Sequence, residues 1–227
     1  MRKRGVLLGA IIVIILLAWL LRGSEFFAIK EISIEGGERV KPTEVKGLIG
    51  IRVGENIFAA DLRRARQALL HLPWVRQAHL RRALPARIVV VLEERKPFAL
   101  ISLGDQYYWV DREGYLLDRA SETEELFLSG VGVIETDRGP RLDERSRAAL
   151  QALFGMDGRS LAQFTEFRLR SGSPELVLHH REGFRVLLDL EDLGERLELL
   201  ARLLTVIDGS HYLYIDLRFG DLVMLPR

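Results

Sequence analysis

The stretch VRQAHLRRALPARIVVVLEE, from Val75 to Glu94, predicts two β-strands joined by a turn. Its first half, Val75 to Arg82, as a strand would place Val75 on the same face as Gln77, His79 and Arg81. Its second half, Arg87 to Glu94, is apolar through the middle and rich in β-branched residues. An apolar run of this kind is typical of a central strand. We therefore expect a hairpin whose second strand lies inside a sheet.

The sequence before this hairpin predicts one strand and two helices. Phe26 to Glu35 is β-branched in character and ends at a pair of glycines, which favours a strand. Lys41-Pro42-Thr43-Glu44 is typical of a helix start, and that helix ends near Gly50. Ala60 to Leu72 repeats its apolar residues at helical spacing and is ended by a proline. The order strand, helix, helix, strand, strand predicts a compact α+β module, with helices on one face of a three-stranded sheet.

An uncharged apolar stretch, GVLLGAIIVIILLAWLL, runs from Gly5 to Leu21. As a helix it would span about 25 Å, which is at the short end of what crosses a bilayer. Three of the first four residues are basic, whereas only Arg22 follows the stretch closely, so the positive charge favours a cytoplasmic N-terminus. We expect a cytoplasmic tail over residues 1–4, a transmembrane helix over residues 5–22, and the rest of the chain outside the cytoplasmic membrane.

Two other interpretations of the apolar stretch are open. A cleaved signal peptide also has a basic start, but its apolar core is usually about 7–15 residues long and precedes a small-x-small cleavage site. Here the run is longer, and Arg22 to Phe27 contains no Ala-x-Ala motif. A buried core helix is less favoured, because nothing on this stretch faces water. An uncleaved membrane anchor is therefore the favoured interpretation.

The charge and the cysteine content narrow the function classes. Four of the 33 basic residues precede Ser24, whereas all 32 acidic residues follow it. The outer part therefore has 29 basic and 32 acidic residues, and its net charge is −3. Nucleic-acid-binding proteins carry a basic face, so we expect no nucleic-acid partner. The chain has no cysteine, which excludes thiol nucleophiles and cysteine-containing zinc sites. Of the 227 residues, about 205 remain after an anchor of about 22, which is enough for one large or two small domains.

Residues 97–227 predict a mixed β-domain with two helices. Asp143 is a suitable N-cap for a helix that reaches about Phe154, and Glu191 to Ile207 is a second amphipathic helix. Short runs of aromatic and β-branched residues between glycine-containing turns predict the strands. The predicted strands are Phe98–Ser102, Tyr107–Asp111, Tyr115–Leu117, Leu126–Leu128, Phe164–Arg170, Glu175–His180, Phe184–Leu188, Tyr212–Arg218 and Leu222–Arg227.

Several motifs together identify a family. The most specific block begins at Leu72-Pro73-Trp74-Val75, continues through Leu84-Pro85 and ends at Glu94-Arg95-Lys96-Pro97-Phe98-Ala99. It is accompanied by Gly54-x-Asn56-Ile57-Phe58 upstream and by Tyr214-Ile215-Asp216-Leu217-Arg218-Phe219 near the C-terminus. In this order, after a basic single anchor, these motifs resemble the FtsQ/DivIB family of bacterial cell-division proteins. The resemblance covers nearly the whole chain.

The resemblance implies an architecture and a function. It implies a POTRA domain at residues 26–96, a C-terminal β-domain at residues 97–227, and a single-pass type II protein of the inner membrane at the division septum. It also implies a divisome scaffold that binds FtsB and FtsL and helps to recruit or regulate the septal peptidoglycan synthases FtsW and FtsI. The chain departs from the family where many members have Gly-Arg before the last helix, because Leu188-Asp189-Leu190 stands there. Arg196 is the candidate substitute for that arginine.

The last strand is the expected binding site. A terminal strand often lies at a sheet edge, where its free N–H and C=O groups can accept a partner strand. Such hydrogen bonds contribute about 1 kcal/mol each, so side chains must add to them, and tyrosine and arginine commonly do so. For each candidate, core packing is the alternative role. The candidate partner-binding residues are Tyr214, Arg218, Phe219, Gly220 and Leu222.

No catalytic or metal-binding arrangement stands out in the sequence. The five histidines lack metal-site spacing, and the adjacent His179 and His180 would point to opposite faces of a strand. We expect no enzyme activity, no cofactor, no metal and no small-molecule substrate. The alternative functions are a POTRA-type periplasmic transport or assembly component and, less favoured, an enzyme that binds or hydrolyses peptidoglycan. Transport components usually carry POTRA modules in tandem, whereas this chain has one.

Overall fold

The computed structural model describes residues 25–120, 126–153, 155–207, 211–219 and 222–227. The predicted cytoplasmic tail, the predicted transmembrane helix and an acidic cluster at Glu122, Glu124 and Glu125 lie outside these residues. None of the helices in the described ranges combines the length and the hydropathy needed to cross a bilayer. The chain divides into two compact units, unit 1 ending at Arg95 and unit 2 beginning at Lys96.

Unit 1 has the predicted order of two helices and three strands. Its elements are β1 (Glu31–Glu35), α1 (Pro42–Leu48), α2 (Leu62–Leu70), β2 (Val75–Ala83) and β3 (Arg87–Glu94). A short 3-10 turn, Glu25–Phe27, precedes β1. The sheet has the order β1-β3-β2, with β1 parallel and β2 antiparallel to the central β3. The prediction that β3 is the central strand is confirmed, and its three consecutive buried residues explain its apolar sequence.

The core of unit 1 forms where the apolar stripe of each helix meets the sheet. Val45 of α1 and Leu69 of α2 are fully buried, as are Ile88 and Val90 of β3. The prediction that Val75 shares a face with Gln77 is wrong, because the pairing of β2 with β3 shifts register between these residues. The shift places Val75 in the interior at 1% exposure. A bulge of this kind changes which side a residue faces, and the simple alternation of a strand does not reveal it.

Unit 2 contains eleven strands and three helices within the described ranges. The helices are α3 (Glu144–Leu153), the single turn α4 (Gly158–Leu161) and α5 (Leu193–Leu203). The strands are β4 (Pro97–Leu103), β5 (Gln106–Asp111), β6 (Leu116–Ala120), β7 (Phe127–Ser129), β8 (Val133–Thr136), β9 (Gly139–Leu142), β10 (Phe164–Leu169), β11 (Glu175–His180), β12 (Arg185–Asp189), β13 (Tyr212–Asp216) and β14 (Val223–Pro226).

Nine of these strands form one sheet with the order β14-β13-β12-β11-β10-β7-β4-β5-β6. Most neighbours are antiparallel, but β13 is parallel to β12, and β7 is parallel to both β10 and β4. The chain between β12 and β13 includes α5, the chain between β7 and β10 includes the β8-β9 hairpin with α3 and α4, and the chain between β4 and β7 includes strands β5 and β6. This order matters for the site, because the last strand of the chain is also the last strand of the sheet.

The core of unit 2 lies between this sheet and the helices. Leu150 of α3 and Leu200 of α5 are fully buried against sheet residues such as Phe167, Val186 and Ile215. The expected N-cap of α3 is present, because Asp143 Oδ1 accepts the backbone N–H of Ser146 at 2.8 Å. The sequence analysis did not anticipate β8, β9 or α4. The hairpin is only four residues per strand, and α4 is one turn, so neither leaves a measurable period in the sequence.

Candidate functional site

The C-terminal strands build the exposed edge of the large sheet. β14 pairs antiparallel with β13, matching Val223 to Asp216, Met224 to Ile215 and Leu225 to Tyr214. On its other side, β13 pairs in parallel with β12. Among the described residues no strand pairs with the outer side of β14, which is the first strand in the sheet order. The sheet ends at β14 on one side and at β6 on the other, so of the two C-terminal strands β14 is an edge strand and β13 is an interior strand.

The direction of the free backbone groups follows from two hydrogen bonds. The Leu217 N–H donates to the Leu187 carbonyl across the β13-β12 side at 2.9 Å, and the Arg227 N–H donates to the His211 carbonyl at 3.0 Å. Backbone groups alternate in direction along an antiparallel strand, so Met224 directs its N–H and C=O away from β13. Pro226 points the same way but has no N–H to donate. The edge thus offers one full donor–acceptor residue near its centre.

Apolar side chains are concentrated at this edge. Phe219 is 79% exposed and Val223 is 53% exposed, and Leu222 and Leu225 are each 42% exposed. These four residues, which we call the edge patch, lie within seven positions of one another in the sequence. Met224 instead packs on the core. Large apolar side chains that remain exposed together are typical of a surface that another molecule covers.

Arg218 is held by two carboxylates of its own unit. Its Nε and Nη2 donate to the Asp216 carboxylate at 2.9 and 2.6 Å, and its Nη1 donates to Glu175. Arg170 binds the other oxygen of Glu175 at 2.6 Å. Only 21% of the Arg218 side chain is exposed. The guanidinium is therefore engaged inside the protein, and its role is to join the end of β13 to the start of β11.

These contacts shift the ionisation of the carboxylates. The hydrogen bond from Arg218 lowers the pKa of Asp216, and it outweighs the burial of that carboxyl, which acts in the opposite direction. The hydrogen bond from Arg170, together with that from Arg218, lowers the pKa of Glu175. The same ion pairs raise the pKa of Arg218. All three groups are charged over the whole physiological pH range, so the cluster is a permanent structural tie.

The tie positions the aromatic ring of the edge patch. The Arg218 guanidinium carbon lies 5.1 Å from the centre of the Phe219 ring, within the range of a cation–π contact. Arg196 of α5 donates Nη1 to the Leu217 carbonyl, which fixes the residue before Arg218. Arg196 thus supports the end of β13 from the core side of the sheet. Both arginines hold the backbone in place and leave Phe219 displayed at the surface.

The predicted site residues divide between several roles. Tyr214 lies on β13 with strands on both sides, so its backbone is not available to a partner and only its half-buried side chain is. Arg218 is engaged internally, as described above, whereas Phe219 and Leu222 are exposed. Gly220 lies outside the described residues. The structure brings Phe219 and Leu222 to the edge and places Tyr214 one strand further in, beside Leu225.

Sequence reasoning missed Val223, Leu225 and Glu175. Val223 and Leu225 are two positions apart in the last strand, and that spacing alone could have placed them on one face of it. Glu175 left no signal, because it is 43 positions from Arg218 in the chain and only the sheet order brings the two together. Long-range ion pairs of this kind are a product of the fold.

The histidines do not form a metal site. His180 stacks on Phe184 at 4.2 Å and meets Phe164 edge to face at 5.2 Å, whereas His179 lies on the opposite face of β11. Burial lowers the pKa of both histidines. Within the described ranges no group of three or more histidine, aspartate or glutamate side chains is placed to hold a metal ion.

Comparison with protein families assigns both units. Residues 27–95 match the model described as "POTRA domain, FtsQ-type", and residues 99–218 match "Cell division protein FtsQ/DivIB, C-terminal". The second match alone spans more than half of the chain. The chain belongs to the FtsQ/DivIB family. Members of this family are non-enzymatic scaffold proteins of bacterial cell division, so the expectation that this chain is not an enzyme is confirmed.

Individual relatives agree with this assignment. The chain is 25% identical to the FtsQ of Geotalea daltonii over 92% of its own length and 78% of the relative's. It is 30% identical to the FtsQ of an Anaeromyxobacter species over 82% of its own length and 65% of the relative's. It is also 27% identical to the DivIB of Clostridium acetobutylicum over 49% of its own length and 43% of the relative's. The matches include both family names.

A solved structure of a family member is also similar. It is the major extracytoplasmic domain of DivIB from Geobacillus stearothermophilus, which shares 12% identity and a TM-score of 0.36 with this chain. The comparison covers 51% of this chain and 99% of that domain. The family matches support a general role in division, in protein–protein interactions of the divisome and in association with the membrane.

Proposed function

We propose that the chain is a membrane-anchored divisome scaffold that binds FtsB and FtsL through the outer edge of β14. In this proposal residues 5–22 cross the inner membrane, residues 1–4 lie in the cytoplasm, and residues 26–96 and 97–227 form the periplasmic POTRA and β-domains at the septum. The bound partners help to recruit or regulate FtsW and FtsI. The observation that carries the binding step is that an unoccupied strand edge coincides with the edge patch.

The proposed mechanism is strand addition without covalent chemistry. A strand of FtsB pairs with β14, and Met224 supplies the outward N–H and C=O groups. Because Pro226 has no N–H and β14 has only four residues, the backbone can contribute only a few hydrogen bonds of about 1 kcal/mol each. That sum is at the low end of the roughly 4–15 kcal/mol that association costs. The edge patch must therefore supply the remaining binding energy.

The test is a substitution that charges the edge patch and leaves the fold unchanged. Phe219→Glu places a charge at a side chain that is 79% exposed, so we expect an intact fold and no measurable FtsB binding in a titration of the full chain in detergent. Val206→Glu is the matched control, because Val206 is 84% exposed and lies after α5, away from the patch in sequence. Unchanged affinity of Phe219→Glu would refute the assignment of the site.

The alternative of a transport or assembly component receives no support from the described residues. Those residues contain one POTRA-type sheet, in unit 1. In unit 2 the nine-stranded sheet packs against its helices through one continuous hydrophobic core. Depletion of the protein in its native host distinguishes the two functions. Filamentous cells without septa are expected for a scaffold, and normal division would contradict it.

A further inference from the structure

Exposed apolar side chains also collect at one end of unit 1. Among the described residues of this unit, five large apolar side chains are exposed, and four of them lie on segments that meet at the start of β1. We call these four the proximal cluster. Its members are Phe26 at 63%, Val53 at 65%, Phe58 at 42% and Leu84 at 60% exposure, while Leu48 is the fifth exposed residue.

Hydrogen bonds show that these segments converge. The Lys30 N–H donates to the Ala86 carbonyl at 2.8 Å, which brings the β2-β3 turn with Leu84 beside the start of β1. The Gly54 N–H donates to the Ile29 carbonyl at 2.8 Å, and the Ile57 N–H donates to the Phe27 carbonyl at 2.9 Å. The loop that carries Val53 and Phe58 is therefore paired with the segment that carries Phe26.

The turn that displays Phe58 is rigid. Ile57 before it is fully buried, and the Asn56 side chain accepts the Phe58 N–H at 2.9 Å. Arg82 of β2 donates Nε to the Ile57 carbonyl and Nη2 to the Ala60 carbonyl, both at 2.7 Å. The rings of Phe26, Phe27 and Phe58 form a chain with centres 5.0 and 5.2 Å apart. The fold thus holds an aromatic surface in a fixed position.

The length of the chain identifies what covers this surface. Only four residues separate Leu21, the last residue of the apolar stretch, from Phe26. At about 3.3–3.6 Å per residue, Phe26 lies no more than about 18 Å from the end of that stretch. The headgroup region on each side of a bilayer is about 5–8 Å thick. This end of unit 1 is therefore within reach of the lipid headgroups if residues 5–22 cross the membrane.

The charges at this end are balanced. The segments 25–31, 52–58 and 84–87 carry three basic residues, Lys30, Arg52 and Arg87, and three acidic residues, Glu25, Glu31 and Glu55. Arg87 and Glu31 pair with each other at 3.0 Å. A surface without excess positive charge gains little from anionic lipid, so apolar contact is the interaction that the cluster offers.

We propose that the proximal cluster inserts into the headgroup region of the bilayer and fixes unit 1 against the membrane. This inference rests on the proposed membrane anchor, and it goes beyond it by assigning a lipid-binding surface to the POTRA unit itself. The occupant is a phospholipid surface. The contact is apolar and shallow, so it depends little on salt and little on the fraction of anionic lipid.

The absence of cysteine in the chain makes a direct test possible. Full-length variants with a single cysteine, Phe58→Cys or Leu84→Cys, are labelled with an environment-sensitive fluorophore and placed in phosphatidylcholine nanodiscs that contain a headgroup-labelled nitroxide lipid. Glu38→Cys is the matched control. The backbone N–H of Glu38 donates to the carboxylate of Glu94, the last residue of β3, whereas the proximal cluster lies at the first residue of that strand. The eight residues of β3 therefore separate position 38 from the cluster by about 25 Å.

We expect the nitroxide to quench the labels at positions 58 and 84 at least about twofold more than the label at position 38. The difference should persist at high salt and without anionic lipid. In the Leu84→Cys background, replacing Phe26 and Phe58 by serine should remove about half of the quenching at position 84, and an unchanged thermal melt would show that the fold is intact. Equal quenching of the labels at positions 38, 58 and 84 would overturn the inference.

A label at Ala18→Cys separates this inference from the proposed anchor. Strong quenching at position 18 with none at positions 58 and 84 would overturn the membrane contact alone. No quenching at position 18 would overturn both proposals together. Protection of positions 58 and 84 only after another division protein is added would identify the cluster as a protein contact, which also overturns the inference.

Discussion

The two units end in edge strands of opposite character. β2 of unit 1 has nine residues and carries exposed charged or polar side chains at Arg76, His79 and Arg81. β14 of unit 2 has four residues, no charge before its final proline, and exposed Val223 and Leu225. Charged side chains on an edge oppose the addition of another strand. The comparison indicates that the β2 edge of unit 1 is protected, whereas the β14 edge of unit 2 is available to a partner strand.

The units also stabilise their loops with opposite charges. In unit 1 the Glu94 carboxylate accepts backbone N–H groups from Glu38, Arg39 and Val40 at 2.8–3.2 Å. In unit 2 the guanidinium of Arg218 binds Asp216 and holds the turn after β13. The Glu94 carboxylate of unit 1 holds the loop at residues 38–40 against the end of β3, whereas the Arg218 guanidinium of unit 2 supports the exposed ring of Phe219. The same kind of ionic tie thus serves internal stability in one unit and display in the other.

The largest effect is expected when β14 is given charged side chains like those of β2. Val223→Lys combined with Leu225→Lys removes two members of the edge patch and adds charge to the edge, so FtsB binding should weaken by about 100-fold, or about 2.7 kcal/mol. Isothermal titration of the full chain in detergent measures this change. Ile134→Lys combined with Leu199→Lys is the control, because both residues are exposed apolar residues of unit 2 outside the patch. Equal loss in the control would show a general charge effect.

The next largest effect concerns the tie at Arg218. Arg218→Leu leaves Asp216 and Glu175 without their shared cation. Because these partners are mostly buried, we expect the free energy of local unfolding to fall by about 2 kcal/mol. Hydrogen exchange of the full chain should show amides of β13 and β14 opening roughly 30-fold more often. Arg202→Leu should change little, since its pair with Glu198 is exposed at 3.6 Å. If hydrogen exchange in Arg218→Leu is unchanged, the ion pairs of Arg218 do not hold β13 and β14 in place.

A smaller, pH-dependent effect is expected for Glu94. Burial opposes its ionisation, but the backbone N–H groups of Val40, Glu38 and Arg39 outweigh burial and lower its pKa below the ordinary 4.5. The resulting stability is present above about pH 4.5 and is lost as the pH falls through the lowered pKa. Glu94→Gln should cost unit 1 about 1–1.5 kcal/mol at pH 7.

Hydrogen exchange of residues 36–41 between pH 3 and pH 7 measures the contribution of Glu94. The wild-type loop should open more often as the pH falls, whereas the loop of Glu94→Gln should open at a rate that changes little over the same range once intrinsic exchange is corrected. Glu93→Gln is the control, because Glu93 pairs with Arg76 on the surface at about half exposure. A parallel response of Glu94→Gln and wild type would contradict the assigned role.

The smallest effect is expected at the protected edge. His79→Thr combined with Arg81→Thr removes charge from β2, and the stability should change by less than about 0.5 kcal/mol because both side chains are exposed. The full chain should instead self-associate more strongly at high concentration, which sedimentation velocity detects. Arg63→Thr on α2 is the control, because Arg63 is exposed and its replacement also removes one positive charge at pH 7, without freeing an edge. Equal association of the two variants would show that charge on β2 has no special protective role.

Much of the fold was predictable because its signals are local. The central strand β3, the amphipathic helices α2, α3 and α5, and the final pair β13 and β14 all carry a period or an apolar run that determines their type. The bulge at Val75 and the short elements β8, β9 and α4 were not predictable. A bulge shifts register through pairing with another strand, and elements of about four residues are too short for a period to appear.

The candidate site was predictable only in outline. The terminal position of the last strand indicated an edge, and two of the candidate partner-binding residues, Phe219 and Leu222, are exposed in the structure. The sequence did not distinguish Arg218, which is engaged inside the unit, from a residue free to bind a partner. It also did not show that Tyr214 lies on an interior strand, because the parallel pairing of β13 with β12 depends on the order of the sheet.

The amino-acid sequence by itself determined the family, the succession of helices and strands, and the apolar stretch before residue 25. These properties depend on neighbours in the chain, whose spacing can be read directly. Only the tertiary structure decided that β14 ends a nine-stranded sheet, that Glu175 meets Arg218, and that four exposed apolar residues converge at the start of β1. Each of these depends on residues that are distant in sequence and adjacent only after the strands have paired.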